Sequence, residues 1–168
     1  MSNRTPRTGR RAASAAALAA LALAAGTAGP ASARPLAAFE AALVRETNAV
    51  RADAGLRPLR RVTVLARPAR AHSRFLERSG RFQHEGVDGS PFWRRLVAAG
   101  FPRHRRMAEN IAQVGGCDPA AAADVVRMWL QSPPHRRNLL DPRLRVTGTG
   151  AWASSGCGAV YVTADYGG

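Results

Sequence analysis

An α+β fold is predicted: three or four helices around a small antiparallel sheet. Three observations lead there. The chain from residue 36 opens with helical apolar spacing, with Phe39, Leu43 and Val50 near one face. It closes with two alternating runs, 146–153 and 159–164, joined by Ser154-Ser155-Gly156. The segments between are cut by Gly and Pro into pieces of helical length, with no internal repeat.

The first 33 residues stand apart. Residues 1–11 carry four arginines and no acid, residues 12–25 are Ala and Leu with one Ser, and the stretch ends Ala31-Ser32-Ala33. That is the order of a secretory signal peptide, with cleavage expected after Ala33. The apolar run is shorter than the roughly 20 residues a membrane span needs, so an uncleaved anchor is the weaker alternative and no span is expected after cleavage. Residues 34–168 remain as one domain, a size that buries about two thirds of its unfolded surface without metal or many disulfides.

Within that domain, 36–54 reads as the first helix, with Gly55 as its C-terminal cap. Leu56-Arg57-Pro58-Leu59 is an extended connector, because the residue before proline avoids the helical region. A second helix is predicted over 63–78 with Thr63 as N-cap and Pro68 awkwardly placed inside it. Ser90-Pro91 reads as N-cap and first residue of a short helix burying Phe92, Leu96 and Trp93. Residues 108–114 are a short strand or irregular. Asp118-Pro119 opens a helix to Leu130, with Val125, Met128 and Trp129 on its apolar side, and Pro133-Pro134 breaks it.

The chain holds 25 basic residues, all arginine, against 11 acidic ones. Four of the arginines fall before residue 34 and no acid does, so the remainder stays about as basic as +10. Such a surface draws anionic partners: wall polymers, phospholipid headgroups, nucleic acid. The basic run Arg103-His104-Arg105-Arg106 lacks the interleaved aromatics that stack bases, which argues against nucleic acid. Cys117 and Cys157 are expected to form one disulfide in an oxidising compartment. Closing that loop stabilises by roughly 4 kcal/mol in the chain-entropy picture. Two buried thiols are the alternative.

Five motifs in order carry a family likeness. Asn48-Ala49-Val50-Arg51 resembles the Asn-x-x-Arg of the first helix in CAP domains, the cysteine-rich secretory, antigen-five and pathogenesis-related proteins. Ala71-His72-Ser73 is similar to the family's Ala-His-Ser, and Phe82-Gln83-His84 to its Phe-x-His. Ala108-Glu109-Asn110-Ile111-Ala112 resembles the Gly-Glu-Asn-Ile-Ala box with alanine in the first place. Residues 129–140, Trp-Leu-Gln-Ser-Pro-Pro-His-Arg-Arg-Asn-Leu-Leu, resemble the bacterial Trp-x-x-Ser-Pro-Gly-His-Arg-x-Asn-Ile-Leu signature with Pro134 for glycine. The resemblance implies an α-β-α sandwich and an extracellular, secreted protein.

It also implies a cleft holding two His and two Glu. His84, Glu109 and His135 match three of these positions, and Ser132 stands where the second Glu would be. Two imidazoles and a carboxylate are donors for zinc or another divalent cation, though none is required for folding. Alternatively Glu109 ties a loop, and the histidines are satisfied polar groups around it. Asn48, Arg51, His72, Asn110 and Asn138 are read as structural ties. Ser132 is read as a cap of the helix after it, since no recognised nucleophile motif is present. The leading expectation is a non-enzymatic binding module for a lipid, anionic envelope polymer or protein. The alternative is a metal-dependent hydrolase of peptide or wall polymer through His84, Glu109 and His135, and a third is anion or nucleic-acid binding by arginines alone.

Overall fold

Apart from Met1, the computed structural model describes residues 34–168. The signal-peptide assignment to residues 1–33 lies outside the described residues, among which no helix is long and apolar enough to cross a membrane. The elements run β1 (Arg34–Pro35), α1 (Ala37–Asp53), β2 (Arg60–Arg61), α2 (Thr63–Ser79), α3 (Phe92–Ala98), β3 (Met107–Val114), α4 (Ala122–Gln131), α5 (Pro133–Leu139), β4 (Val146–Ala153) and β5 (Val160–Gly167). A 3-10 turn, Pro119–Ala121, leads into α4. The sheet order is β1-β4-β5-β3, with β2 alongside β4 as its one parallel pairing. The fold class is the α+β sandwich the sequence predicts.

Cross-strand register fixes the two faces. Ala112, Val162 and Ala151 share a level, as do Asn110, Ala164 and Thr149, and these rows pack against α1 and α4 in the main core with Phe39, Leu43, Val125 and Trp129. The alternate rows, Glu109-Asp165-Gly148 and Ile111-Thr163-Gly150, face α2. Leu65, Leu96 and Phe101 form a second, smaller core there. Because the pleat alternates strictly, every second strand residue belongs to one core or the other.

Helix α2 lies close on β4. A Cβ at Gly148 would overlap the backbone of Leu65 and Ala66, and one at Gly150 the backbone of Ala69 and Arg70. The contact is sealed by Val62 N–H donating to the Thr147 carbonyl at 2.8 Å and Ser73 Oγ donating to the Gly150 carbonyl at 2.9 Å. Pro68 sits inside α2, buried, beyond the first turn.

Several local expectations shift by one residue. Val62, not Thr63, is the N-cap of α2, and Pro91, not Ser90, that of α3; neither is closed by a side-chain bond. In α3 only Leu96 is fully buried, while Phe92 and Trp93 are half-buried. Met128 is exposed, because the inner face of α4 is set by Val125, Val126 and Trp129. Pro133-Pro134 ends α4 and also starts α5. Asp118 does cap the turn before α4, its carboxylate accepting from Ala120 N–H at 2.8 Å. Cys117 and Cys157 form a disulfide linking the end of β3 to the β4–β5 connection.

Candidate functional site

β3 is a free edge of the sheet, so groups on both faces can reach around it. Glu109 sits on it, 4 % exposed, with its side chain on the α2–α3 face. The loop carrying His84 is drawn over that face by two bonds. His72, in α2, pairs its Nε2 with the Gln83 carbonyl at 2.9 Å, and Arg95, in α3, donates from Nη1 to the His84 carbonyl at 2.8 Å. The result brings His84 Nδ1 to 2.7 Å from Glu109 Oε1. Arg95 forms an ion pair with the other carboxylate oxygen, Oε2. With Nδ1 facing a carboxylate, a neutral His84 holds its proton there and leaves Nε2 as an acceptor.

Asn110 and Asn138 secure the opposite flank. Asn110 Nδ2 donates to the His135 carbonyl at 3.1 Å, and Asn138 Nδ2 donates to the Glu109 carbonyl at 3.0 Å and to Asn110 Oδ1 at 2.9 Å. α5 is thus bolted to β3, and His135 comes within electrostatic reach of His84. Ser132 occupies the N-cap position of α5, as the sequence suggests, but its hydroxyl makes no cap bond. Asn48 exchanges two bonds with the Leu59 backbone, and Arg51 donates to the carbonyls of Arg57, Leu139, Asp141 and Leu144, so both are the ties expected.

Three important charged groups escape sequence reasoning. Arg95 is one of them. Asp165 is another: it is Glu109's cross-strand partner, fully buried, with neither carboxylate oxygen hydrogen-bonded. The third is Glu40 of α1, fully buried and held by Arg61 and Arg70 at 2.7 Å. The one local hint is at Asp165, an acid in an otherwise apolar strand, and it says nothing of which groups surround it.

Burial governs the electrostatics. It pushes the Asp165 carboxyl up to about 7, with Arg95 and His84 opposing. It pulls His72 down to about 4, with Arg95 adding to the effect, and lowers His84 and His135 as well. The signs for stability are opposite. Asp165 binds its proton more tightly folded than unfolded, so its contribution is full below about pH 4 and is lost as pH rises through about 7. His72 favours the folded state above pH 6.5 and loses that contribution as pH falls through about 4. Asp165→Asn is therefore expected to gain stability over wild type above pH 7 and to lose it more steeply on acidification from 6.5 to 4. Each uncompensated proton gives a slope of about 1.4 kcal/mol per pH unit. Denaturant midpoints across pH check this; parallel profiles for the two proteins would contradict it.

Two hollows bear on what the chain could bind, neither lined by His84 or Glu109 themselves. One, of about 390 Å³, lies between α2 and α3 and is lined by His72, Phe75, Val87 and Arg95 among others. The other, of about 690 Å³, runs between the end of α4, α5 and the turn after it. Its floor includes Leu130, Pro133 and Leu140, and Arg106, Arg136, Arg137 and Arg143 stand around it. Buried Asp141 fixes two of these: it pairs with Arg106 and accepts from Arg143 Nε at 3.1 Å. Burial alone would raise that carboxyl, but the hydrogen bonds from Arg143 and Arg106 hold it down at about 2.

Of the donors the family resemblance offers to a metal, Glu109 is already engaged. Both Glu109 oxygens face cationic or N–H partners. Among the described residues, no group of three or more His, Cys, Asp or Glu side chains is placed to hold a metal ion.

A family model described as CAP, the cysteine-rich secretory protein family, matches residues 44–166. The chain belongs to the CAP family. A curated relative, the uncharacterized protein YkwD of Bacillus subtilis (strain 168), is 34% identical over 116 residues, covering 68% of this chain and 43% of the relative. The CAP chain described here thus spans less than half the length of that relative. Among solved structures it is similar to an outer surface protein from Borrelia burgdorferi, with a TM-score of 0.68 at 18% identity over 82% of this chain and 97% of that one. It is also similar to an extracellular protein containing a SCP domain from Bacillus anthracis str. Ames, with a TM-score of 0.65 at 24% identity over 76% and 39%. At such identities the likeness establishes the CAP fold.

Proposed function

We propose that this CAP protein is an exported, non-enzymatic binding module whose ligand is an anionic amphiphile of the cell envelope, a phosphate or carboxylate headgroup on an apolar body. The observation that carries this reading is the arginine-ringed groove over Leu130, Pro133 and Leu140. An apolar floor with fixed cations at its rim suits a ligand with both characters. Arg106 and Arg143 are pre-set by Asp141, which lowers the ordering cost of binding. Export is supported by the signal-like residues 1–33 and by the descriptions of the two structural relatives as extracellular and outer-surface proteins. The hydrolase alternative has less support, since Glu109, the base it would use, is engaged on both oxygens.

The test is cosedimentation with phosphatidylglycerol and phosphatidylcholine vesicles, for wild type and for Arg136→Glu/Arg137→Glu. Both arginines are exposed on α5. Each basic residue near an anionic surface contributes about 1 kcal/mol, so the double reversal is expected to weaken binding to phosphatidylglycerol by about 30-fold or more. Binding should also weaken with salt. Equal binding by wild type and variant, or equal binding to both lipids, would contradict the assignment.

A further inference from the structure

Glu40 of α1 is fully buried, and the chain itself occupies its carboxylate. Arg61 Nη2, at the end of β2, donates to Oε2 at 2.7 Å, and Arg70 Nε, in α2, donates to Oε1 at 2.7 Å. Arg70 Nη2 adds a bond to Oε2 at 2.5 Å, and Ala151 N–H a longer one to Oε1 at 3.4 Å. A carboxylate at such depth is costly unless paired, so both guanidiniums are held in place. Their outer ends are not used up. The Arg61 and Arg70 side chains are 42 % and 37 % exposed, and Nη1 of each makes no hydrogen bond among the described residues.

Arg61 and Arg70 line a hollow of about 330 Å³ together with Thr63, Ala66 and Arg67. Thr63, Arg67 and Arg70 follow one another at four and three residues along α2, which puts them on one face of the helix. Arg67 is exposed and forms no ion pair among the described residues. Three guanidiniums thus surround the hollow against one carboxylate, and that carboxylate is out of solvent's reach. Thr63 adds a hydroxyl from the first turn of α2.

We propose that this hollow is a binding site for a phosphate monoester, whose three free oxygens are taken by Arg61, Arg67 and Arg70. Guanidinium forks match phosphate oxygens in pairs and stay charged at any physiological pH. A monoester carries close to two negative charges at pH 7 and three acceptor oxygens. A phosphodiester keeps two free oxygens and one charge, and a carboxylate the same in a single plane, so neither engages three forks at once. Two of the three arginines are already set by Glu40, which reduces the side-chain freedom lost on binding. The volume leaves room for the group that carries the phosphate. The inference is independent of the groove at α5, with which this hollow shares no residue.

Calorimetric titration of the purified protein tests it, with inorganic phosphate, methyl phosphate and dimethyl phosphate as probes. Sodium chloride at about 0.1 M screens charges more than about 10 Å away. Wild type is expected to bind one equivalent of inorganic or methyl phosphate, and dimethyl phosphate at least about 10-fold more weakly. Arg67→Ala removes an exposed side chain, so its thermal unfolding should match wild type. It is expected to weaken phosphate binding at least about 10-fold, the effect of losing a hydrogen bond to a charged group. Arg67→Lys, a charge without the fork, should fall between the two. Arg45→Ala, which removes an exposed arginine of α1 outside the hollow, should bind as wild type does. Arg136→Glu/Arg137→Glu should keep the site, which separates it from the lipid groove. The proposal is overturned if wild type shows no saturable uptake, or if Arg67→Ala binds phosphate as tightly as wild type. It is equally overturned if Arg45→Ala weakens binding as much as Arg67→Ala, or if dimethyl phosphate binds as well as methyl phosphate.

Discussion

Arg51→Ala is expected to lower the unfolding free energy by several kcal/mol, since each buried carbonyl left without its donor costs about 1–3 kcal/mol. Arg51 is fully buried. Its Nε donates to the Arg57 carbonyl at 3.0 Å and its Nη1 to the Leu139 carbonyl at 2.7 Å, with Asp141 and Leu144 completing the set. These carbonyls belong to the end of α5 and the turn beyond it, and to the connector after α1. They have no helical partner of their own, so the guanidinium satisfies acceptors that water cannot reach. Alanine strands them and leaves a cavity between α1 and α5. Lysine is no remedy, because a single ammonium cannot reproduce the planar fork across several carbonyls. Urea unfolding of wild type, Arg51→Ala and Arg51→Lys measures both effects; a loss below about 1 kcal/mol in the alanine variant would remove Arg51 from this role.

Gly148→Ala is expected to be at least as damaging, and Gly150→Ala similar. Overpacking a core usually costs about 1–3 kcal/mol because side chains can adjust. Here the obstruction is the backbone of α2 at Leu65-Ala66 and Ala69-Arg70, which cannot move without breaking the bonds from Val62 to Thr147 and Ser73 to Gly150. The α2 layer would have to lift away from β4, opening the row that holds Glu109 and Asp165. We expect a cost of more than about 3 kcal/mol and loss of His84 positioning. The ring proton shifts of His84 in the NMR spectrum report the second effect. Unchanged stability in Gly148→Ala would mean that helix and strand are not packed this closely.

Both effects originate in residues that a sequence reader sees only in part. The Asn48–Arg51 spacing marks a tie, because a polar pair inside an apolar helix must find partners. The resemblance then leads to His84 beside Glu109, which the spacing of 25 residues alone does not. Arg95 and Asp165 are illegible for a different reason. Their places beside Glu109 depend on the β3–β5 register and on where α3 lands, both products of long-range packing that no local pattern encodes. Glu40 is hidden in the same way: an acid in the first turn of a helix reads as a surface residue until Arg61 and Arg70 close over it. The glycines of β4 read as ordinary strand glycines, though glycine inside a strand often marks close approach of another backbone. The one-residue shifts at the caps of α2 and α3 have a simpler cause. Thr63 and Ser90 are favourable cap types, but the preceding pairing of β2 and the fixed φ of Pro91 set the first helical turn instead.

In this CAP cleft Glu109 is closed by ion pairs from the chain itself, to His84 and Arg95. Anomalous diffraction at the zinc edge, from crystals grown with zinc, tests that closure. The expected result is guanidinium density against the Glu109 carboxylate and no anomalous peak beside it. A zinc peak about 2.0–2.2 Å from Glu109 and His84, with Arg95 displaced, would contradict it.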